Sequence, residues 1–233
     1  MIGFIAFLLV LGYIVYVPFK NFRDSKYEAA SGNGFIKTFF DKGNYGEYLT
    51  YLKLQKVDGY KRIMTNLYIP GKDGKTTEVD LLMITETGLY VVESKNYSGW
   101  IFGSEKSRYW MQMFPNKQKH QFFNPIWQNS AHINAIKGVL DMQEAHLFKS
   151  YIIFSERCTL KKIDVVSPDV KVMKRNDLTR TLTDEMSRSE KRWSSFQVDS
   201  IFSKLFTYSR VDDTVKKLHI EQVREKRKVS GRK

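Results

Sequence analysis

The chain holds one cysteine, Cys158, and four histidines, His120, His132, His146 and His219. A single thiol excludes an internal disulfide framework and any cysteine-rich zinc site. The histidines fall at no metal-ligand spacing, so zinc chemistry has no ligand set to draw on. There is no Gly-x-Ser-x-Gly elbow to present a nucleophilic serine. A P-loop is missing too: Gly71-Lys72-Asp73-Gly74-Lys75-Thr76 has the wrong glycine spacing and no apolar strand-to-helix context.

Charge is absent from one long stretch. Residues 1–19 contain no Asp, Glu, Lys or Arg and are almost wholly apolar. About 20 such residues span a bilayer as a helix. A cleaved signal peptide fits less well, because no basic residue precedes the run, the run is too long, and Val17-Pro18-Phe19-Lys20 is a poor cleavage site. Tyr13 and Tyr16 suit an interfacial belt, and Lys20, Arg23 and Lys26 flank the C-terminal end alone. The pattern predicts a single-pass transmembrane helix over residues 1–19 in the cell membrane, with the N-terminus outside and the rest cytoplasmic. A polar segment, residues 20–41, reads as a linker.

Acidic residues are in deficit elsewhere. Thirty-eight Lys and Arg against 25 Asp and Glu give a formal charge of +13, which points to anionic partners such as nucleic acid or acidic lipid. Residues 211–233 form a helix and basic tail, and this tail is the candidate for lipid headgroups or phosphate.

Among what is present, the organising stretch is Val79-Asp80-Leu81-Leu82-Met83-Ile84 followed by Gly88-Leu89-Tyr90-Val91-Val92-Glu93-Ser94-Lys95. Both apolar runs read as buried strands joined by a Thr85–Gly88 turn. Side chains alternate along a strand, so Glu93 and Lys95 share a face with Ser94 opposite. A register that sets Asp80 beside them gathers two carboxylates and an ammonium at one sheet end. Such charges are unfavourable there unless they pair or hold a cation, and oxygen donors of this kind suit Mg²⁺. A Glu–Lys salt bridge at a strand end is the simpler reading of the same residues.

A helical pattern from Tyr45 to about Val57 carries Glu47 on a stripe with Tyr51 and Leu54. Tyr60–Ile69 alternates as a strand, Pro70–Lys75 reads as a turn, and residues 97–113 read as a further hairpin. Residues 116–121 read as an exposed loop. Asn124-Pro125 opens a helix running to about Met142, on which Gln128 faces the sheet. Phe148–Phe154 is another strand, forming a right-handed βαβ unit with the preceding strands if they are parallel. Beyond Ser155, Val170–Met173 suggests a short strand and Phe196, Ile201, Phe202 and Leu205 an amphipathic helix.

The order of helix with Glu47, strand, strand with Asp80, strand with Glu93-Ser94-Lys95, helix with Gln128 and strand resembles the nuclease-related domain, a branch of the PD-(D/E)xK restriction-endonuclease-like superfamily. Gly46-Glu47, Glu78-Val79-Asp80, Gly88 to Asn96, Gly99 to Gly103 and Asn124 to Gln128 carry the resemblance, over roughly residues 42–155. It implies an α/β fold with an αβββαβ core, a mixed central sheet flanked by helices. To this the chain adds the N-terminal transmembrane helix, an extension over residues 156–210 and a helical C-terminal region.

The resemblance also implies metal-dependent phosphodiester cleavage. Asp80 and Glu93 would ligate Mg²⁺ or Mn²⁺, with the Ser94 carbonyl as a further ligand. Glu47 would support the metal, Lys95 would orient the attacking water and stabilise charge, and Gln128 would hold the substrate backbone or the water. Val79 stands where the superfamily often has proline. The function expected is thus a membrane-anchored nuclease acting on DNA or RNA. The alternative is a catalytically silent nuclease-fold module that binds nucleic acid or serves as a membrane scaffold.

Overall fold

The computed structural model describes residues 2–71, 76–209, 211–212, 214–219 and 221–222, with side chains from residue 10 and from residue 12 onward among these. Four helices, α1 (Ile2–Asp24), α2 (Tyr27–Ser31), α3 (Phe35–Phe40) and α4 (Lys42–Gln55), precede the strands β1 (Lys61–Pro70), β2 (Thr76–Thr85) and β3 (Gly88–Lys95). Next come β4 (Gly99–Ser104), β5 (Tyr109–Met113) and β6 (Lys119–Phe123), then α5 (Pro125–Leu140) and β7 (Phe148–Phe154). The remaining elements are β8 (Cys158–Asp164), β9 (Val170–Lys174), α6 (Leu178–Arg188) and α7 (Ser195–Phe206). The fold is mixed α/β, with two sheets flanked by helices.

The larger sheet runs β1-β2-β3-β7-β9 and the smaller β6-β5-β4-β8. In the larger sheet β1, β2 and β3 pair antiparallel, while β3 pairs parallel with β7 and β7 with β9. The period-two alternation of β2 and β3 supplies two apolar faces. Leu82, Ile84, Leu89 and Val91 pack under α5 and α7 with Ile136, Leu140, Val198 and Leu205. Leu81, Met83, Tyr90 and Val92 pack under α4 and α6 with Tyr51, Leu54 and Leu182. A third cluster joins the sheets, setting Ile101, Trp110 and Ile126 against Ile152 and Phe154.

Asn124 sets the phase of α5. Its Oδ1 accepts from the Ile126 amide at 2.9 Å, capping the helix. Its Nδ2 donates to the carbonyls of Ser104, Glu105 and Ser107, which pins the helix entry to the β4–β5 hairpin.

Four segments differ from the sequence-based expectation, the first being β8, where no strand is expected and backbone pairing with β4 forms one. Residues 119–123, placed partly in a loop, form edge strand β6, whose backbone pairs with β5 while Lys119, His120 and Gln121 face solvent. Helix α6 was not expected; it buries only Leu178 and Leu182, one turn apart. Residues 20–41, expected as a linker, are packed: Phe22 is 1% exposed, and its ring lies 5.4–6.1 Å from those of Tyr27, Phe35, Phe39 and Tyr48. Polar composition hid a run of aromatics that closes one end of the domain.

Helix α1 runs through the expected membrane span, but the side chains of residues 1–9 and 11 lie outside the described residues. Among the described residues no helix is long and apolar enough to cross a membrane. Most of the expected turn at residues 70–75 and the basic tail from residue 223 onward also lie outside them.

Because Phe22 fills a closed aromatic pocket, Phe22→Ala is expected to cost ~3–5 kcal/mol. Denaturant melts of the purified chain measure this; an unchanged midpoint would mean that α1 does not belong to the domain's core.

Candidate functional site

Strands β2 and β3 pair from Thr85↔Gly88 to Leu81↔Val92, where their ladder ends. Beyond that point the Asp80 carboxylate takes over from the strand, its Oδ2 accepting from the Ser94 amide at 2.9 Å. The alternation of β2 breaks at the same place. Val79 joins the α5-side core with Leu82 and Ile84, whereas Leu81 and Met83 face α4. Across the sheet, Asn66 lies between the pairs Thr65↔Leu81 and Leu67↔Val79 with φ 53°, a left-handed conformation that asparagine tolerates better than most residues. This irregularity lets a carboxylate from mid-strand reach the backbone of β3.

Glu93 and Lys95 both face α5. Glu93 is 1% exposed, with Oε1 2.5 Å from Lys95 Nζ and Oε2 3.1 Å from His132 Nε2. Lys95 Nζ also donates to Gln128 Oε1 at 3.0 Å. On its other side, His132 Nδ1 lies 2.8 Å from Thr77 Oγ1. Burial alone would raise the Glu93 pKa, but Lys95 and His132 outweigh it and hold the carboxyl below its ordinary range. Burial likewise opposes charge on Lys95, and Glu93 and Asp80 reverse that effect, keeping it an ammonium.

Glu47 arrives from α4. The residue is half-buried, but its carboxylate lies deep, and Oε2 is buried without a hydrogen-bond partner. Burial pushes its pKa up to about 8, with Glu78, Glu93 and Asp41 adding to the rise. Asp80 is pushed well above its ordinary value by burial, then by Glu93 and Glu47. The group therefore carries more carboxylate than its one lysine balances.

A family model for the nuclease-related domain matches residues 42–155. An uncharacterized protein of Bacillus anthracis is 33% identical over 186 residues, covering 79% of this chain and 85% of that protein. The chain belongs to the nuclease-related domain family. Its fold is accordingly of the restriction-endonuclease-like class. No solved structure matches the chain.

The nuclease-related domain begins with α4 and closes just after β7, so it holds all five residues singled out by sequence: Glu47, Asp80, Glu93, Lys95 and Gln128. The structure brings them to one end of β2 and β3. Gly46 has a visible reason, since a Cβ there would lie 2.6 Å from the Asn96 Cβ, and glycine lets α4 settle against the residue after Lys95. Two further participants escaped the sequence reading. His132 lies one helical turn beyond Gln128, a spacing that marks a shared helix face. Glu78 accepts from the Tyr68 hydroxyl at 2.6 Å and adds its charge to the Glu47 environment.

Among the described residues no cluster of three or more His, Cys, Asp or Glu side chains is arranged to hold a metal. Mg²⁺ needs only one or two carboxylates, with water and phosphate completing its shell. The orphaned Glu47 oxygen and the opposed ionisation of Asp80 and Glu47 are what a hard divalent cation would relieve, so the donor chemistry fits one.

At neutral pH the folded, metal-free chain keeps the Glu47 proton, which an unfolded glutamic acid loses near pH 4.5. Between about 4.5 and 8 the unfolded state binds fewer protons, so this group's contribution to stability falls as pH rises. Glu47→Gln is expected to raise the metal-free Tm by roughly 2–4 °C at pH 8 and not at pH 5. Thermal melts with chelator at both values check it; equal shifts would show that the carboxyl is not perturbed.

Proposed function

We propose that this chain is a metal-dependent nuclease that hydrolyses phosphodiester bonds of DNA or RNA, held by residues 1–19 at the cytoplasmic face of the cell membrane. One observation carries the catalytic part: Asp80, Glu93 and Lys95 meet where β2 and β3 part, and Glu47 faces them with a buried carboxylate oxygen that has no partner.

Asp80, Glu93 and Glu47 are the residues that would hold Mg²⁺ or Mn²⁺. Such an ion polarises a phosphoryl oxygen and lowers the pKa of bound water. Lys95 has three N–H donors. Glu93 and Gln128 take two of them, fixing the ammonium, and the third is available to a phosphate oxygen or to the attacking water. An ammonium held in place before the reaction stabilises developing phosphoryl charge without reorganising at that moment. An ionised Glu93 only accepts hydrogen bonds, so His132 donates to it through Nε2 and locks its orientation. The formal charge of +13 supports an anionic substrate.

A second reading is a nuclease-fold module that binds nucleic acid without turnover. It is favoured by the engagement of both Glu93 oxygens, one by Lys95 and one by His132. A cleavage assay with the full chain, titrating Mg²⁺ and Mn²⁺ over single- and double-stranded DNA and RNA, separates the two. Activity is expected to require the metal and to fall at least ~10²-fold in Lys95→Ala. Salt-sensitive binding with no cleavage under either metal would select the silent module.

The anchoring part is supported by residues 13–16 of α1, whose apolar and aromatic side chains stand 57–69% exposed while Phe22 docks on the domain. The basic tail would add attraction to acidic headgroups. Removing residues 1–19 is expected to move the chain from the membrane fraction to the soluble fraction; retention in the membrane would refute the anchor.

A further inference from the structure

The face of β3 opposite Glu93 and Lys95 leads to a second group of polar residues. Ser94 Oγ lies 3.1 Å from Thr50 Oγ1, and Arg175 Nε donates to the same Thr50 oxygen at 3.0 Å. Arg175 is 4% exposed, and its Nη2 is buried with no hydrogen-bond partner. A charged donor withdrawn from water and left without an acceptor is rare, because nothing compensates its lost hydration. An anion would supply the acceptor.

The space for one is present. Arg175 lines a cavity of about 280 Å³ together with Lys42, Tyr45, Asn96, Glu156 and Arg157. Three of these side chains are cationic. The one acid, Glu156, favours charge on Arg175 from a distance but has its oxygens on other partners, 3.3 Å from Lys174 Nζ and accepting from the Asn176 amide at 2.8 Å. The rim hangs on the residue that follows Lys95. Asn96 Nδ2 donates to the Lys42 carbonyl at 2.6 Å, and Arg157 Nη2 donates to the Asn96 carbonyl at 2.8 Å. Tyr45 supplies a ring wall from the first turns of α4.

We propose that this cavity is a phosphate-binding subsite, with Arg175 as its buried donor and Lys42 and Arg157 as its rim. Its ligand is a phosphate of the same nucleic-acid strand that is cut beside Lys95, an assignment that rests on the nuclease reading above. A guanidinium presents its N–H groups as a planar fork that matches phosphate oxygens, and the two rim cations add charge without burial. The Arg175–Thr50–Ser94 chain ties the subsite to the Ser94 amide on which Asp80 rests, so a strand held at one place is positioned at the other.

The test uses the full chain with chelator present and ionic strength fixed by chloride, so that neither metal nor cleavage enters the readout. Inorganic phosphate is titrated by calorimetry into the wild type, Arg175→Met and the rim double variant Lys42→Ala/Arg157→Ala, with circular dichroism to confirm folding. Saturable binding by the wild type is expected, weakened at least about 10-fold in each folded variant (one tenfold step is 1.4 kcal/mol). Should Arg175→Met fail to fold, the rim variant decides alone. Absence of saturable binding by the wild type, or equal binding by the rim variant, overturns the subsite.

A short oligonucleotide then competes with phosphate. Competition that is lost in the rim variant assigns the site to a strand phosphate. Phosphate binding with no competition overturns that assignment and leaves a free-phosphate site. If phosphate binds as expected but the chain cleaves nothing, the nuclease reading fails while this cavity stands.

Discussion

A carboxylate as enclosed as Glu93 stays ionised only because Lys95 and His132 meet it from two sides. Removing one partner from such a buried arrangement strands a charge, at a cost of about 3–5 kcal/mol. Much of the domain is arranged to keep those partners in place. Strand alternation aims Glu93 and Lys95 at α5 together. The helix answers with Gln128 and His132 one turn apart, and Asn124 fixes its phase by tying its first turn to three carbonyls of the β4–β5 hairpin. A rotation of α5 by one residue would take His132 from Glu93 and Gln128 from Lys95.

The opposite situation holds at Asp80 and Glu47. There the fold gathers carboxyl groups whose ionisation no side chain supports, so burial and their neighbours hold them toward the protonated form, and the strand departs from regular geometry at Asn66 beside them. Backbone irregularity of this kind persists only where the surroundings impose it, and it gathers at functional places. One half of the site is thus internally satisfied and rigid, and the other is unsatisfied and receptive. That division is what the proposed nuclease centre calls for: a lysine held still beside carboxyls free to take a cation.

The parts legible in the sequence were those governed by short periods. A spacing of two put Glu93 and Lys95 on one face, and the capping pair Asn124-Pro125 placed the helix carrying Gln128. Asp80 was expected beside them through register alone; what brings it there is a break in alternation, which no periodicity announces. His132 falls at no metal-ligand spacing, and the only sign of its part in the site is its four-residue distance from Gln128, which marks a common helix face. Strands β6 and β8 and helix α6 have no clear sequence signal because each buries few apolar side chains; the strands are held by backbone pairing, and α6 by Leu178 and Leu182 against Tyr51 and Leu54. The aromatics of residues 20–41 were masked by polar neighbours. Arg175 had no pattern at all, being one of 38 basic residues and distinguished only by what encloses it.

The two sheets share a seam. Strands β3 and β7 run parallel in the larger sheet, and the chain leaves each at the same end to enter β4 and β8, which run parallel in the smaller. Ser155 stitches the crossing, its amide donating to the Lys95 carbonyl at 3.0 Å and its hydroxyl to the Tyr97 carbonyl. The smaller sheet is therefore joined to the larger at the Lys95 peptide, whose carbonyl takes the Ser155 amide. Any shift of β4 reaches Lys95 along a short covalent path, from Gly99 back to the lysine, whereas β5 and β6 act on it only through their ladder with β4.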